Sequence, residues 1–380
     1  MTENEELRNR LNLLLQFGGV VYKETRLDKL LELIAAQVKK VLNCDRCTVF
    51  ILDKKTGELW SKVAQGIQNT EIRMPRGKGV AGEAASSGRT VNISDAYESP
   101  LFNPEIDRMT GYRTNTMLAV PLKDVAGNIM GVFQAINKNS GRFDADDEGI
   151  LQLIGSIAAS AIENAKLYER LFKAQLETIY RLAITAEYRD QEDTAVHLRH
   201  VSAYTALIAA GMGLTEQEID NIRYASPLHD IGKVGIPDAI LLKPAKLTPQ
   251  EYDEIKKHTF YGGKILSDAE SELLHIACQI AEAHHEKFDG TGYPAGMKGA
   301  DIPLYARIMA VADVFDALCM HRVYKPAWTP EKARDLIREE SGKAFDPAVV
   351  AGFEKAFEEI AKVSRTASDK AAAAGEKTGQ

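Results

Sequence analysis

The 380-residue sequence has little cysteine and no long apolar segment. Its four cysteines are too few for the disulfide framework that holds small secreted domains together. No apolar run approaches the roughly 18 residues that a membrane-spanning helix needs. The N-terminal residues lack a basic region followed by an apolar one, so they do not resemble a signal peptide. We therefore expect a cytoplasmic protein without a membrane partner.

A basic surface and a zinc-type cysteine pattern are also missing. The formal net charge of −7 offers nothing that would attract a polyanion, so no nucleic-acid partner is expected. Cys44 and Cys47 form a Cys-x-x-Cys pair, but no second pair follows. Packing near the start of a strand is therefore favoured over a zinc or redox site for these two residues.

Histidine is absent from the first half of the chain, and this absence divides the sequence. A chain of this length is expected to hold roughly two domains. One of them uses histidine and the other does not. The eight histidines are His197, His200, His229, His258, His275, His284, His285 and His321. We expect an N-terminal helix over 1–24, an α+β domain over 25–165, a connecting helix over 150–190, an all-α domain over 175–365 and a disordered tail over 366–380.

The residue pattern of the first domain is typical of an antiparallel sheet flanked by helices. Short β-rich runs alternate with turn residues, and residues 79–83 resemble a helix entry. Element order and the motif Asn137-Lys138, Phe143, Asp147-Glu148 resemble a GAF domain, in particular the GAF domains that bind cyclic nucleotides. Lys138 and Asp147 are expected to pair and hold a lid over a pocket. Alternatively, the acids simply begin the next helix, where they suit its dipole. The resemblance implies a cyclic nucleotide, another small ligand or a purely dimerising role.

A helix without proline is expected between the two domains. Apolar residues at Ala165, Tyr168, Phe172, Ile179 and Leu182 keep a seven-residue frame. This frame favours a parallel homodimer in which the helix pairs with its twin. A helix that packs only on its own domain is the alternative.

The second domain is helical almost throughout and concentrates residues that bind metals. His229 and Asp230 are adjacent, and His284 and His285 are adjacent at a predicted helix end. Asp313 lies in a mostly apolar stretch, where burial is costly unless a metal or a basic side chain pairs with it. His197 and His258 taken singly are more typical of a surface or a satisfied core position. Jointly these residues favour a site with two or more metals, and nothing assigns His200 or His275 to it.

These motifs, with Lys233 and the run Asp289-Gly290-Thr291-Gly292-Tyr293-Pro294, resemble the HD-GYP phosphodiesterases. The resemblance implies two or three divalent metals, iron or manganese, and hydrolysis of cyclic di-GMP to pGpG and in some members to GMP. It implies metal ligation by His197, His229, Asp230, His258, His284, His285 and Asp313. Members with a third metal have a glutamate four residues before the first histidine, where this sequence has the shorter Asp193.

The resemblance also implies residues that act on the substrate. Asp230 is expected to bridge two metals and Lys233 to stabilise developing negative charge. Gly292, Tyr293 and Pro294 are expected to shape the pocket wall. Arg322 and Lys325 match an Arg-x-x-Lys motif that holds phosphates, although His321 and Val323 replace the usual aspartate and proline. A solvated basic surface is the alternative for Arg322 and Lys325.

Two other functions stay open at this point. The chain is alternatively a hydrolase of another nucleotide, such as cyclic GMP–AMP or an alarmone. It is alternatively a receptor that binds the dinucleotide without cleaving it. A lost ligand would favour the receptor, and all seven ligand positions are present.

Overall fold

The computed structural model describes residues 15–61, 72–188, 194–320 and 327–375. The chain divides into two compact units between Lys173 and Ala174. Asp193, His321, Arg322 and Lys325 lie outside the described residues, as do 1–14 of the predicted N-terminal helix and 376–380 of the predicted tail. No helix in the described ranges is both long enough and apolar enough to cross a bilayer.

The first unit is built on one antiparallel sheet of six strands. The order of the strands in the sheet is β3-β2-β1-β6-β5-β4, and each strand is antiparallel to its neighbours. The strands are β1 (Cys44–Leu52), β2 (Glu58–Ser61), β3 (Ile72–Pro75), β4 (Val91–Ile93), β5 (Met117–Lys123) and β6 (Ile129–Lys138), and the helices are α1 (Leu27–Leu42), α2 (Gly79–Ser87), α3 (Glu105–Thr110) and α4 (Ala145–Glu187).

Both faces of this sheet are buried, because apolar side chains occupy both phases of the strand period. On β1, Val49 and Ile51 belong to the cluster that α1 and the first part of α4 cover. Phe50, between them, belongs to the cluster that α2 covers. Cys44 and Cys47 are buried in the first of these clusters, consistent with packing near a strand start. The result is an α+β unit with helices on both sides of its sheet.

The long helix α4 spans 43 residues. Its first part packs into the core of the first unit through residues such as Leu151, Ile154 and Ala165. Of the predicted heptad frame, Ala165 is buried there, whereas Tyr168 and Phe172 are exposed. Leu153, Leu167 and Leu171 are further exposed apolar residues of α4 in this unit.

The second unit is a bundle of helices around one apolar core. Thr248 and Thr329 cap the N-termini of their helices, and Thr248 forms a capping box with Glu251. The helices are α5 (Thr194–Met212), α6 (Glu216–Ala225), α7 (Asp238–Leu241), α8 (Pro249–Leu266), α9 (Glu272–Ala283), α10 (Leu304–Cys319), α11 (Pro330–Glu339) and α12 (Pro347–Gly375), with 3₁₀ turns at Ser226–Leu228, Ile231–Gly235 and Gly299–Asp301.

A proline interrupts one helical stretch, and another helix runs further than predicted. The helix α6 ends at Ala225, and 3₁₀ turns follow. Pro227 explains the break, because its ring cannot continue a regular helix and it lacks the backbone donor. At the other end, α12 extends to Gly375 through residues predicted to be disordered. Alanine has the highest helix propensity, which fits a helix through this alanine-rich stretch.

Close backbone contact holds α5, which carries His197, against α12. A side chain on Gly211 would place its Cβ atom 2.2 Å from the carbonyl oxygen of Gly352. Only glycine fits at this crossing, so the two helices approach more closely than side chains would allow.

Candidate metal centre

Asp230 lies at the centre of a cluster of buried ligand atoms in the second unit. It stands between the 3₁₀ turns Ser226–Leu228 and Ile231–Gly235, and its side chain is 7% exposed relative to an open chain. The second turn packs directly on α8, because a Cβ atom on Gly232 would lie 1.9 Å from the carbonyl oxygen of His258. This approach brings His258 Nε2 within 3.2 Å of Asp230 Oδ1.

The first group of ligand atoms surrounds Asp230 from α8 and the end of α9. His258, His284 and His285 each offer a ring nitrogen, and all the ligand atoms of the group lie within 4.8 Å of one another. His284 Nε2 is 3.7 Å from Asp230 Oδ1. Three imidazoles and one carboxylate suit a divalent transition metal.

The second group joins three further elements of the unit. His197 on α5, His229 and Asp313 on α10 bring their ligand atoms within 4.8 Å of one another. His197 Nε2 lies 3.7 Å and His229 Nε2 lies 4.0 Å from Asp313 Oδ1. His229 and Asp230 are adjacent in sequence, and His229 Nε2 is 3.4 Å from Asp230 Oδ2, so the two groups meet at Asp230.

Orphaned polar atoms show that these residues fit a metal. Buried side-chain atoms without a hydrogen-bond partner are rare in folded proteins. His197 Nε2, His229 Nε2 and Asp230 Oδ1 are three such atoms within the described residues. Although His258 lies near Asp230 Oδ1, this oxygen has no hydrogen bond of acceptable geometry. Metal ions bound by the two groups would give each of these atoms a partner.

Burial and neighbouring charges shift the pKa values of several of these ligand residues. Burial by itself raises the pKa of Asp230, but Lys233, 2.8 Å away, and His229 hold it well below its usual range. Burial lowers the pKa of His229 to about 4 and also lowers the pKa values of His258 and His285. An ionised aspartate and neutral imidazoles are the protonation states that bind a metal.

Two family models match the chain, one to each part. The model described as "GAF domain" matches residues 26–162, and the model described as "HD domain" matches residues 168–349. The chain thus joins a GAF domain to an HD domain.

Curated proteins from several bacteria are similar to about half of this chain. A cyclic di-GMP phosphodiesterase of Thermotoga maritima is 45% identical over 193 residues, which are 51% of this chain and 52% of the relative. The cyclic di-GMP phosphodiesterase response regulator RpfG of Xanthomonas campestris is 47% identical over 174 residues, 46% of each chain. The 3′3′-cGAMP-specific phosphodiesterase 2 of Vibrio cholerae is 43% identical over 204 residues, 54% of this chain and 39% of the relative. The chain thus spans about half the length of the curated relatives it matches.

The remaining predicted site residues of the HD domain fall into two sets. Gly292, Tyr293 and Pro294 lie in the loop after α9, and the Tyr293 ring stacks on His285 with centroids 4.7 Å apart. Asp193, Arg322 and Lys325 lie outside the described residues. His275 is exposed, and His200 is buried, bonds to Asp316 and is in neither ligand group.

Glu286 organises the loop that carries the Gly-Tyr-Pro triplet, a role that the sequence analysis missed. Its buried carboxylate accepts hydrogen bonds from the backbone N–H groups of Ala295, Gly296 and Met297 at 2.7, 3.1 and 3.1 Å. These bonds are charge-assisted and fix the loop against the metal ligands that precede it. Its place directly after His285 is the only signal in the sequence.

Asp316 is a second residue that the sequence analysis missed. It is fully buried on α10, one helical turn after Asp313, and bonds to His197 Nδ1 and His200 Nδ1 at 2.7 Å each. Burial alone would lower the pKa of His197, but the hydrogen bond with Asp316, followed by Asp313, raises it to about 9. A carboxylate behind a ligating imidazole fixes its tautomer and aims Nε2 at the metal. The signal in the sequence is a second aspartate in the same apolar stretch.

The GAF motif is assembled in the first unit. Lys138 forms an ion pair with Asp147, as the motif predicts. Asp147 also caps the start of α4, because Asp147 and Asp144 exchange backbone-to-carboxylate hydrogen bonds at 3.0 and 2.9 Å. The pairing and the helix start are therefore compatible rather than alternatives.

The other GAF motif residues hold neighbouring segments together. Asn137 adopts a left-handed backbone, with φ at 54°, and its side chain bonds to the backbone of residues 113, 115 and 116. Glu148 accepts a hydrogen bond from Asn92 at 2.8 Å, and Phe143 is buried. No lid or ligand follows from these contacts by themselves.

We predict that Asp316→Asn weakens metal binding about 10- to 100-fold, because an amide orients and polarises His197 less than a carboxylate does. The measurement is calorimetric titration of the metal-stripped full chain with Mn²⁺. Asp335→Asn, at an exposed position of α11, serves as the matched control. An unchanged Mn²⁺ affinity in a folded Asp316→Asn variant would show that Asp316 does not support a metal ligand.

Proposed function

We propose that the chain is a metal-dependent phosphodiesterase that hydrolyses cyclic di-GMP to pGpG, and onward to GMP if the linear product rebinds. The observation that carries this proposal is Asp230 standing between two groups of buried ligands. The relatives named as cyclic di-GMP phosphodiesterases support the choice of substrate. We assign residues 25–165 to the GAF sensor domain, 150–190 to the connecting helix and 175–365 to the phosphodiesterase domain. Since the substrate is a second messenger, we place the activity in the cytoplasm.

The metal ligands of this proposal are His197, His229, Asp230, His258, His284, His285 and Asp313. We infer two bound metals, or three if Asp193 contributes. Iron or manganese is our choice of metal, because imidazole with carboxylate ligands suits both and no thiolate is present in either group. When bound, such metals supply Lewis-acid polarisation of the phosphate and make water nucleophilic at neutral pH.

The residues of the chain itself hold and stabilise the phosphodiester. Lys233 is a fixed, half-buried cation beside Asp230, where it stabilises negative charge that builds on the phosphate oxygens. Tyr293, stacked on His285, supplies an aromatic wall near the ligands, and aromatic rings bind nucleobases by stacking. Arg322 and Lys325 are proposed to hold the second phosphate.

A second substrate has its own support. One relative is named as specific for 3′3′-cGAMP and is 43% identical to this chain. Cyclic GMP–AMP differs from cyclic di-GMP in one base, so the phosphate and metal chemistry is the same. The residues that contact the bases, rather than the metal ligands, therefore decide whether cyclic di-GMP or cyclic GMP–AMP is preferred.

We predict that Asp230→Ala lowers cyclic di-GMP hydrolysis at least about a hundredfold, the loss that removal of one electrostatic contact to the reacting group produces. The full chain is purified without oxygen, its metals are counted by elemental analysis, and products are separated by chromatography. Asp253→Ala, at an exposed position of α8, is the control. Parallel reactions with 3′3′-cGAMP measure the preference.

Three outcomes decide this proposal. Conversion to pGpG by the wild type and its loss in Asp230→Ala support it. Retained hydrolysis in Asp230→Ala contradicts the assigned centre. A metal-loaded wild type that binds cyclic di-GMP but converts neither dinucleotide favours the non-catalytic receptor.

We further propose that the GAF domain binds a cyclic nucleotide and so regulates the phosphodiesterase. The Lys138–Asp147 ion pair and the ordered Asn137 side chain support a ligand site at the end of β6. Asp147 and Glu148 lie in the first turn of α4, so a ligand that contacts them acts directly on that helix.

We predict that calorimetry of the full chain detects binding of cAMP or cGMP, and that Lys138→Ala weakens this binding at least about tenfold. The reason is that a lysine contact to a charged group contributes roughly 1.5–3 kcal/mol. Lys123→Ala, exposed at the end of β5, is the matched control. The absence of heat and of a thermal shift with both nucleotides would remove the cyclic-nucleotide version of the proposal.

We also propose a parallel homodimer through α4. Leu153 and Leu167 are two heptads apart, Leu171 follows at the next seam position, and the three are 50%, 50% and 58% exposed. Such spacing matches the seam of a parallel coiled coil.

We predict that the pair Leu167→Glu and Leu171→Glu converts the dimer to a monomer, because four carboxylates would meet in an apolar seam. Sedimentation equilibrium should then give the single-chain mass of 41.8 kDa instead of twice that value. Arg170→Glu, on the exposed part of the same helix, should leave the mass doubled. A wild type that sediments as a monomer overturns the dimer.

A further inference from the structure

Glu187 is a buried carboxylate that has no role in the proposed metal centre described above. It is the last residue of α4 and is only 1% exposed. Neither of its carboxylate oxygens has a hydrogen-bond partner among the described residues. A carboxylate without a partner in such a place is costly, and in folded proteins it is paired, protonated or bound to a metal.

The carboxylate of Glu187 lies beside one ligand from each group, His229 and Asp230. Ligand atoms of Glu187, His229 and Asp230 all lie within 4.8 Å of one another. Seven buried side-chain atoms lack a hydrogen-bond partner in the described part of the chain, and five of them belong to Glu187, His197, His229 and Asp230. Most of the orphaned atoms therefore belong to side chains that offer a ligand atom to one of these groups.

No protein cation satisfies Glu187 in the described structure. Lys233 donates to Asp230 at 2.8 Å, and neither oxygen of Glu187 receives a hydrogen bond from it. Glu187 and Asp230 bring carboxylate oxygens within 4.8 Å of each other, and Asp313 brings another within 4.8 Å of His229. Three carboxylates thus converge on a region where the metal-free protein holds one lysine close to Asp230.

We propose that Glu187 is a metal ligand of the centre, acting together with His229 and Asp230. The inference rests on the proposed metal centre and extends it to the last turn of α4. This assignment is separate from Asp193, which the sequence comparison suggests for a third metal and which lies six residues further along. The competing role for Glu187 is structural, as a neutral buried acid.

The test compares Mn²⁺ binding and metal-free stability in the full chain. Glu187→Gln keeps the shape of the side chain but replaces a good metal ligand with a poor one. A ligand role predicts that Mn²⁺ binds at least tenfold more weakly, or with one fewer ion per chain by elemental analysis. It also predicts that the metal-free variant melts at the same temperature as the wild type or higher, because a buried repulsive group has been removed. The Mn²⁺-induced rise in melting temperature becomes smaller.

Glu177→Gln is the matched control, since Glu177 lies on the same helix and is 71% exposed. Asp193→Asn, measured in parallel, reports the other candidate carboxylate. Glu187→Asp keeps the charge and shortens the side chain by one methylene. If Glu187→Gln does not fold, this variant makes the same distinction through Mn²⁺ affinity.

The outcomes separate the inference from the function on which it rests. Weaker or reduced Mn²⁺ binding with an undiminished metal-free melting temperature supports Glu187 as a ligand. Wild-type Mn²⁺ binding with a lower metal-free melting temperature overturns it and leaves the proposed centre intact. A wild-type chain that takes up no metal overturns the centre, and the inference with it.

Discussion

The second unit depends on the placement of a buried aspartate, Asp230, where several helices converge. An ionised carboxylate in such a place needs positive charge near it, and the fold supplies Lys233 directly and imidazoles from α8 and α9. Close backbone packing at Gly232 makes this possible, since any side chain there would push α8 away. The bundle is therefore organised around a charge that it does not fully neutralise by itself, which is the property of a site made for cations.

The two groups of potential ligand atoms were largely predictable from the sequence, because adjacent pairs such as His229-Asp230 and His284-His285 are local signals. Asp313 was predictable for another reason, since a carboxylate in an apolar helix must find a partner. Asp316 obeys the same rule one turn later and should have been inferred with it. Glu187 gives no such signal: it lies 42 positions before His229 in a polar stretch, and only the fold brings the two together.

Secondary structure was predictable where side chains act locally and less so where packing decides. Thr248 and Thr329 mark the N-termini of their helices in the sequence, because an N-cap hydrogen bond lies within one turn. Of the predicted heptad frame, Ala165 is buried while Tyr168 and Phe172 are exposed, because a helix that is apolar on several sides does not reveal which side its own sheet covers. The Lys138–Asp147 ion pair was predictable from a motif. Only the structure shows that Asp147 also bonds to Asp144 at the start of the helix.

The distribution of histidine gives the chain a built-in reporter. All eight imidazoles lie in the second unit, whose first residue is Ala174. Magnetic resonance signals from imidazole nitrogens therefore arise only from that unit in the intact chain. If a molecule bound to the first unit shifts these signals, the effect must have been transmitted through the protein, and no engineered label is needed to detect it.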